Sequence, residues 1–535
     1  MTNAELECLP LGIGQNNEQN SDGTCLQVRL GDYWLLLDCG LSSTNLANIL
    51  ASEQSKLWSA LLCTHAHNDH GRGLQGLHLA RPDLPMFASE VTAKLLPLNW
   101  TDSDRSEFCR PLAWRVKTEI QPNLYVTLLP SGHLPGAASL WIDYAAADRD
   151  YTILYTGDFF LSNSRMVEGL RLDEFHGLCP DVLIIEGSYG TAHHAHRRSQ
   201  ENQLASQIRN AIIKGKSILL PVSKLGMGQE ILMLLRSHHL FTGQDIDIWV
   251  DRAVAEVCDL YLELLPHLPQ SIQNFAQHQS LFWDERVKPR VHRLSDRPEV
   301  SQVHPSVYLV DRDSDWSSWL HNHPTTDWLV LLAEPIDRNF TPTARVKLAT
   351  YLLSDRSDVA GTTQLIHNLK PQHVVFIHGN SNYLSDLANL DELSSRYHVH
   401  CARVGMRLEL PVNESLHLIL PTRADRILPY EGELAELESE IILTLPPEII
   451  DDPRWLNFAE TGLIEARWQG EELIVRGMTQ RELLSTEPIN PSEHQSIACS
   501  NCLYYRSFRC TNPESPLYDL KVSSDASCQA FKLSG

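Results

Sequence analysis

The hydrophobic pattern of the chain switches repeatedly between a period of two and a helical period. Residues 24–38, TCLQVRLGDYWLLLD, alternate and turn at Gly31-Asp32, which predicts a hairpin. The apolar run 59–64 predicts a strand, residues 85–89 another, and 90–96 a short helix. Strand-like text from 124 ends in Ser131-Gly132-His133 before a Pro-Gly turn, and YTILYTGDF ends in Gly157-Asp158. DVLIIEGSYG, residues 181–190, has the continuous apolar pattern of a strand buried on both faces and ends in Glu186. Helical text at 199–215 and strand text at 216–222 follow, and a further helix opens around Leu225–Glu230. This alternation runs to about 332 and predicts an α/β unit with a parallel sheet. Beyond it, 346–353 predicts a strand, 358–369 a helix, 373–379 a strand ending in His378-Gly379, 383–397 a helix, and 404–420 strands. Residues 427–452 hold eight acids and no Lys or Arg, which predicts a solvated face at a domain boundary. Residues 463–475 predict a hairpin turned at Gln469-Gly470.

Composition narrows this picture. A chain of 535 residues is too long for one ordinary core, so two to four domains are expected. No apolar run reaches the ~18–20 residues of a membrane span, and no membrane association is expected. The N-terminal text MTNAELECLPLG has no basic or apolar signal segment, which makes the cytoplasm the default expectation. A net charge of -23 argues against a broad nucleic-acid-binding surface. It does not exclude a nuclease, because metal ions and a few local cations suffice to hold a phosphate.

The candidate chemistry begins after the strand at 59–64, in His65-x-His67-x-Asp69-His70. Imidazole and carboxylate suit zinc. Alternate residues of one loop point apart, so the pattern suits two neighbouring ions better than one. His133 and Asp158 also stand at strand ends, and a carboxylate after Gly157 can reach between two metals. Asp38, before Cys39-Gly40, is either a turn former or a carboxylate that orients a metal-binding histidine. The tail carries Cys499-x2-Cys502-x7-Cys510-x17-Cys528. That spacing fits a structural zinc site, with an iron–sulfur cluster or free thiols as alternatives. The other eight cysteines read as reduced, buried residues.

The order of these strand-end residues resembles the metallo-β-lactamase fold, and Glu186-Gly187-Ser188-Tyr189-Gly190 resembles the motif that opens its β-CASP subgroup. That subgroup comprises RNA-processing hydrolases such as ribonuclease J and the mRNA 3′-end cleavage factor. The resemblance implies an α/β fold: an αββα sandwich with an inserted α/β domain, followed here by a small β-rich appendage and a four-cysteine module. It assigns residues 1–190 and 346–423 to the sandwich, 191–345 to the insert, 424–490 to the acidic, β-rich appendage and 495–535 to the tail module. It implies that His65, His67 and His133 hold one ion, that Asp69, His70 and His378 hold a second, and that Asp158 bridges them. Asp38 would stand behind the ligands. The ions would be two Zn2+, or Mn2+ or Mg2+, with a further Zn2+ or iron–sulfur cluster at the tail cysteines. Asp69, Asp158, Glu186 and Arg356 would carry catalysis, with Ser354 and His194 on the substrate.

The chain departs from the subgroup pattern at three places. Where Ser-x-His-x-Asp is expected it has Ser354-Asp355-Arg356-Ser357-Asp358. Thr191-Ala192 replaces a frequent Asp-Arg pair, and Met227 replaces a frequent Arg. Arg356 is expected to face Glu186 and pair with it, since a guanidinium fork suits a carboxylate. The leading expectation is therefore an RNA phosphodiesterase using a dizinc-activated water on single-stranded RNA, with weakened turnover. The alternatives are a catalytically impaired metal-binding RNA-processing scaffold subunit, or a hydrolase of small esters or thioesters. Appended domains of β-CASP ribonucleases often dimerise, which leaves a homodimer open.

Overall fold

A computed structural model describes residues 6–14, 22–100, 108–147, 149–294, 305–321, 326–333 and 344–412, and beyond these 433–437, 440–444, 464–469, 472–477, 502–506 and 509–511. The chain divides into two units, residues 1–416 and 417–535.

In the first unit, strands β1 (Leu6–Ile13), β2 (Thr24–Leu30), β3 (Tyr33–Leu37), β4 (Trp58–Leu62), β5 (Met86–Ser89) and β6 (Arg110–Leu112) lie side by side in that order. A seven-stranded sheet results when the short strand Leu408–Glu409 pairs antiparallel with β1. A second seven-stranded sheet starts with β7 (Thr118–Gln121), β8 (Leu124–Pro130), β9 (Ala138–Ala145), β10 (Asp150–Tyr155) and β11 (Val182–Glu186). Two late strands complete it, His373–Ile377 parallel to β11 and His398–Cys401 at the edge.

The period-two pattern decides how the sheets pack. Val28, Leu35, Leu62, Val126, Leu140, Ile153, Ile184 and Val375 meet in one core between the sheets. Their strand neighbours Leu183, Ile185, Val374 and Phe376 turn the other way, into a core shared with helix Val359–Leu369. Leu36 and Leu61 likewise face outward with Leu46, Leu74 and Leu77 from flanking helices. The result is the predicted αββα sandwich, and burial on both faces is why its central strands read as unbroken apolar runs.

Between β11 and the late strands lies a third sheet, with six strands. They are β12 (Ser217–Val222), β13 (Asp247–Val250), β14 (Arg290–Arg293), β15 (Val307–Asp311), β16 (Trp328–Leu332) and β17 (Val346–Thr350), in the spatial order β14-β13-β15-β12-β16-β17. Every pairing in it is parallel. Strand β17 joins this sheet beside β16, although its text was expected to open the return to the sandwich. The expected helix 383–397 is two shorter ones, Ser381–Ala388 and Asp391–Ser394. Leu384 and Leu387 are buried at a helical spacing in the first helix, but Asn389 caps it and Leu390 is extended before the second, which buries Leu393.

In the second unit, Glu433–Leu437 pairs with Glu440–Thr444 inside the acidic block, and Ile464–Gln469 pairs with Glu472–Gly477. The latter hairpin pairs Gln469 with Glu472, one residue beyond the expected turn. Among the described residues no helix is long and apolar enough to cross a membrane.

Two glycines let β2 and β3 approach the histidine loop. A Cβ on Gly40 would lie 1.8 Å from the Asp69 carbonyl oxygen, and one on Gly23 would lie 2.0 Å from it. Both contacts are with backbone, so no side-chain rotation relieves them. We expect Gly40→Ala to cost about 1–3 kcal/mol in denaturant unfolding and to weaken metal binding at Asp69, whose backbone must shift to admit the methyl group.

Candidate metal centre

The sheets bring six strand ends to one edge of the sandwich. Asp38 follows β3, Thr64 to His70 follow β4, His133 follows β8, and Asp158 follows β10. Glu186 ends β11, and His378 follows strand His373–Ile377. Asp38 and His378 are held at φ 58° and 49°, a left-handed conformation uncommon for residues with a side chain.

The seven predicted ligands converge into two groups. In one, ligand atoms of His65, His67, His133 and Asp158 all lie within 4.8 Å of one another, and in the other so do those of Asp69, His70 and His378. Asp158 faces both. Its Oδ2 lies 3.6 Å from His65 Nε2 and 3.5 Å from His133 Nε2. Its Oδ1 lies 3.5 Å from His70 Nε2 and 3.5 Å from His378 Nδ1. His378 Nε2 is 3.2 Å from Asp69 Oδ2.

Contacts behind the rings set which nitrogen faces the centre. His70 Nδ1 donates to Asp38 Oδ2 at 2.8 Å, and Tyr155 donates its hydroxyl to the same oxygen at 2.7 Å. The Thr64 amide and hydroxyl also reach Asp38, at 2.7 and 2.9 Å. With its proton given to Asp38, the Thr64 hydroxyl accepts from His65 Nδ1 at 3.0 Å. His133 Nδ1 donates to the Asp355 carbonyl at 2.8 Å, and His67 Nε2 to the Leu225 carbonyl at 3.3 Å. Each ring therefore turns a lone pair inward, the state a metal requires. His133 Nε2 and His67 Nδ1 then stand 3.0 Å apart with two lone pairs facing. His65 Nε2, His70 Nε2 and Asp158 Oδ1 are buried with no hydrogen-bond partner. Orphaned acceptors around one point are what a divalent ion satisfies, so the donor set fits a metal.

The charge balance agrees at His65, His67 and His133, whereas His70 is drawn toward its protonated form, and a metal there must displace the second ring proton. Burial, then the charge of His133, pushes His67 down to about 3. Burial followed by His70 lowers His65, and burial followed by Arg356 lowers His133. Burial alone would also lower His70, but Asp158 and Asp38 outweigh it and raise it well above the usual histidine range. Burial opposes ionisation of Asp158, yet Arg356, His378 and His70 hold it well below the carboxylate range. Glu186 is pushed up to about 7 by burial and then by Asp158.

Arg356 does not pair with Glu186 as expected. Its Nε donates to Asp158 Oδ2 at 2.7 Å, Nη2 forms an ion pair with the same oxygen at 2.6 Å, and Nη1 lies 3.3 Å from Asp355 Oδ1. Glu186 Oε2 instead accepts from the Ser188 amide at 2.9 Å, and its Oε1 has no partner. His378 and His70 draw Asp158 toward its ionised form apart from Arg356, whereas burial and then Asp158 push Glu186 toward its neutral form, so the guanidinium meets the stronger acceptor at Asp158. Ser354 and His194 meet, with Oγ 2.9 Å from Nδ1. Of the tail cysteines, Cys499 and Cys528 lie outside the described residues, Cys510 lies in the short strand Arg509–Cys510, and Cys502 is a free thiol.

Sequence reasoning missed Thr64, Tyr155, Ser188 (whose hydroxyl lies 3.0 Å from His378 Nδ1) and the carbonyls of Leu225 and Asp355. Thr64 had a signal in its place directly before His65. A carbonyl carries none.

Comparison with known proteins shows which family the chain resembles. The description "Beta-lactamase superfamily domain" matches residues 33–207. Uncharacterized protein sll0514 of Synechocystis sp. is 42% identical over 99% of this chain and 97% of its own. A probable RNase of Methanocaldococcus jannaschii is 27% identical over 47% of this chain and 61% of its own. The Integrator complex subunit 11 homolog of Dictyostelium discoideum is 22% identical over 72% of this chain and 58% of its own. The chain belongs to the metallo-β-lactamase family, in its β-CASP subgroup. The metallo-β-lactamase fold implies divalent-metal use, and the His/Asp groups are where this chain can hold the metal.

Asp38 meets His70, Thr64 and Tyr155 at once. We expect Asp38→Asn to weaken divalent-metal binding by ~10- to 100-fold in equilibrium dialysis, because the orientation of His70 is lost. Unchanged affinity would reduce Asp38 to a turn residue.

Proposed function

We propose that this β-CASP protein is a metal-dependent phosphodiesterase acting on single-stranded RNA, with slow turnover. The observation that carries this reading is Asp158, whose two oxygens face two separate ligand groups. His65, His67, His133 and Asp158, with Asp69, His70 and His378, would hold divalent ions, zinc or manganese or magnesium, which would activate a water and neutralise charge building on phosphorus. The chain supplies the rest. Asp38, Thr64 and the Leu225 and Asp355 carbonyls fix the rings, and the paired Ser354 and His194 offer donors to a phosphate oxygen. Arg356 offers a permanent positive charge to the transferring group. It stays protonated near neutral pH and cannot give a proton to the leaving oxygen. General acid catalysis is worth ~10²- to 10⁴-fold, so cleavage is expected to be slow by about that factor. The inserted sheet supports a polymeric substrate over a small ester, because its Leu225 loop reaches the centre from the insert side. The names of the relatives point the same way.

The test is cleavage of labelled single-stranded RNA, single-stranded DNA and a generic ester by the metal-loaded full chain. Slow RNA cleavage that rises at least ~10-fold in Arg356→His supports the reading. Rapid cleavage that Arg356→His leaves unchanged or slows sinks the claim of a lost proton donor. A protein that binds RNA and metal without cleaving, in either form, is the impaired scaffold subunit that Arg356 also favours.

We also propose that Cys499, Cys502, Cys510 and Cys528 hold one further ion, colourless zinc. Structural zinc keeps small modules folded, so a chelator is expected to expose residues 495–532 to protease before the rest of the chain. A brown protein would indicate an iron–sulfur cluster instead. Tail proteolysis indifferent to metal removal would reject both.

A further inference from the structure

The two oxygens of Asp158 are not in equal states. Oδ1, facing His70 and His378, is buried and makes no hydrogen bond. Oδ2, facing His65 and His133, accepts from Arg356 Nε at 2.7 Å and lies 2.6 Å from Arg356 Nη2. A carboxylate oxygen has two lone-pair directions. The Nε–H of Arg356 takes one of them and Nη2 crowds the same oxygen at 2.6 Å, so a cation held with His65, His67 and His133 must compete with the guanidinium for it. The groups differ in charge as well. His70 and His378 have a carboxylate of their own in Asp69, 3.2 Å from His378 Nε2. His65, His67 and His133 have none beyond Asp158, and three neutral rings supply no negative charge. Arg356 is well anchored, with Nη1 3.3 Å from Asp355 Oδ1. The backbone beside it is also fixed. The Asp355 carbonyl accepts from His133, and Ser354 donates its amide to Gln200 at 2.7 Å.

We propose that Arg356 is a resident cation that makes the two halves of the centre unequal. The Asp69, His70 and His378 half binds a divalent ion tightly, and the His65, His67 and His133 half binds one weakly because that ion must compete with the guanidinium for Asp158. This rests on the two-ion reading given above and adds an order of filling. Arg356 thus acts as a positioning residue for Asp158 and, through it, as the determinant of metal stoichiometry.

The experiment is a zinc titration by equilibrium dialysis of the metal-stripped full chain, with Cys499→Ser and Cys502→Ser in every form to silence the tail. Cobalt absorbance serves as a second readout. The protein with Arg356 is expected to bind one ion tightly and a second at least ~10-fold more weakly. Arg356→Gln removes the charge and is expected to tighten the second ion by ~10- to 100-fold. Arg356→Lys keeps the charge and is expected to leave the second ion weak. Two ions of equal affinity in the protein with Arg356 would overturn the proposal, as would a folded Arg356→Gln that leaves the second ion weak. If Arg356→Gln does not fold, the affinity ratio in the protein with Arg356, together with Arg356→Lys, still decides. RNA cleavage is not read, so a protein that cleaves no RNA leaves this result standing. A protein binding no ion would defeat the two-ion reading itself.

Discussion

A buried carboxylate with no apolar escape is the constraint behind the rest of this molecule. Asp158 follows β10, whose last three residues are buried, and against the opposition of burial Arg356, His378 and His70 hold its carboxyl well below the usual carboxylate range. Such a charge is tolerable only when opposite charge or hydrogen-bond donors surround it. The donors come from strands far apart in sequence, so the two sheets must pack in one register for the carboxylate to be satisfied. The core between the sheets and the centre at their edge therefore depend on the same alignment. The αββα packing buries the apolar face and also delivers every ligand to one edge.

Much of this was legible because strand ends carry their chemistry in local text. His65, His67, Asp69 and His70 stand together, and His133, Asp158 and His378 each follow an apolar run, so period-two reasoning placed them at strand ends, and the family resemblance implied that those ends form one site. The alternation across 199–332 likewise announced a parallel sheet, which the six-stranded sheet bears out. The partner of Arg356 was not legible. Two acids, Glu186 and Asp158, stood at neighbouring strand ends, and a long side chain chooses between them by local potential. That potential depends on burial and on histidines from other strands, which no spacing reveals. The backbone acceptors at Leu225 and Asp355 were invisible for a simpler reason, since every residue has a carbonyl. The β17 boundary was missed because an edge strand of the insert and a first strand of the return carry the same short apolar pattern.

The inserted sheet does more than flank the centre. His67 is oriented by the carbonyl of Leu225, which lies between β12 and helix Met227–Ser237. His133 is oriented by Asp355, just beyond β17. Buried Glu230 of that helix accepts from the Met166 amide and from Arg197, and Arg197 also donates to the Ser354 carbonyl. Insert and sandwich thus share one polar seam, and the ligand geometry on the His67 and His133 side is inherited from it.

The pairing of Val182–Glu186 with His373–Ile377 has a consequence for how the protein comes to exist. These strands are hydrogen-bonded neighbours, yet the whole insert separates them along the chain. Closing so long a loop is entropically costly and slow, and it is rewarded only when the last strand docks. During synthesis the histidine loop, His133 and Asp158 leave the ribosome long before His378 does. A nascent chain therefore carries six of the seven ligands, lacking only His378, for as long as the insert takes to be made and folded. The left-handed turn at His378 is the last piece to arrive, so maturation of the metal site is timed by completion of the insert.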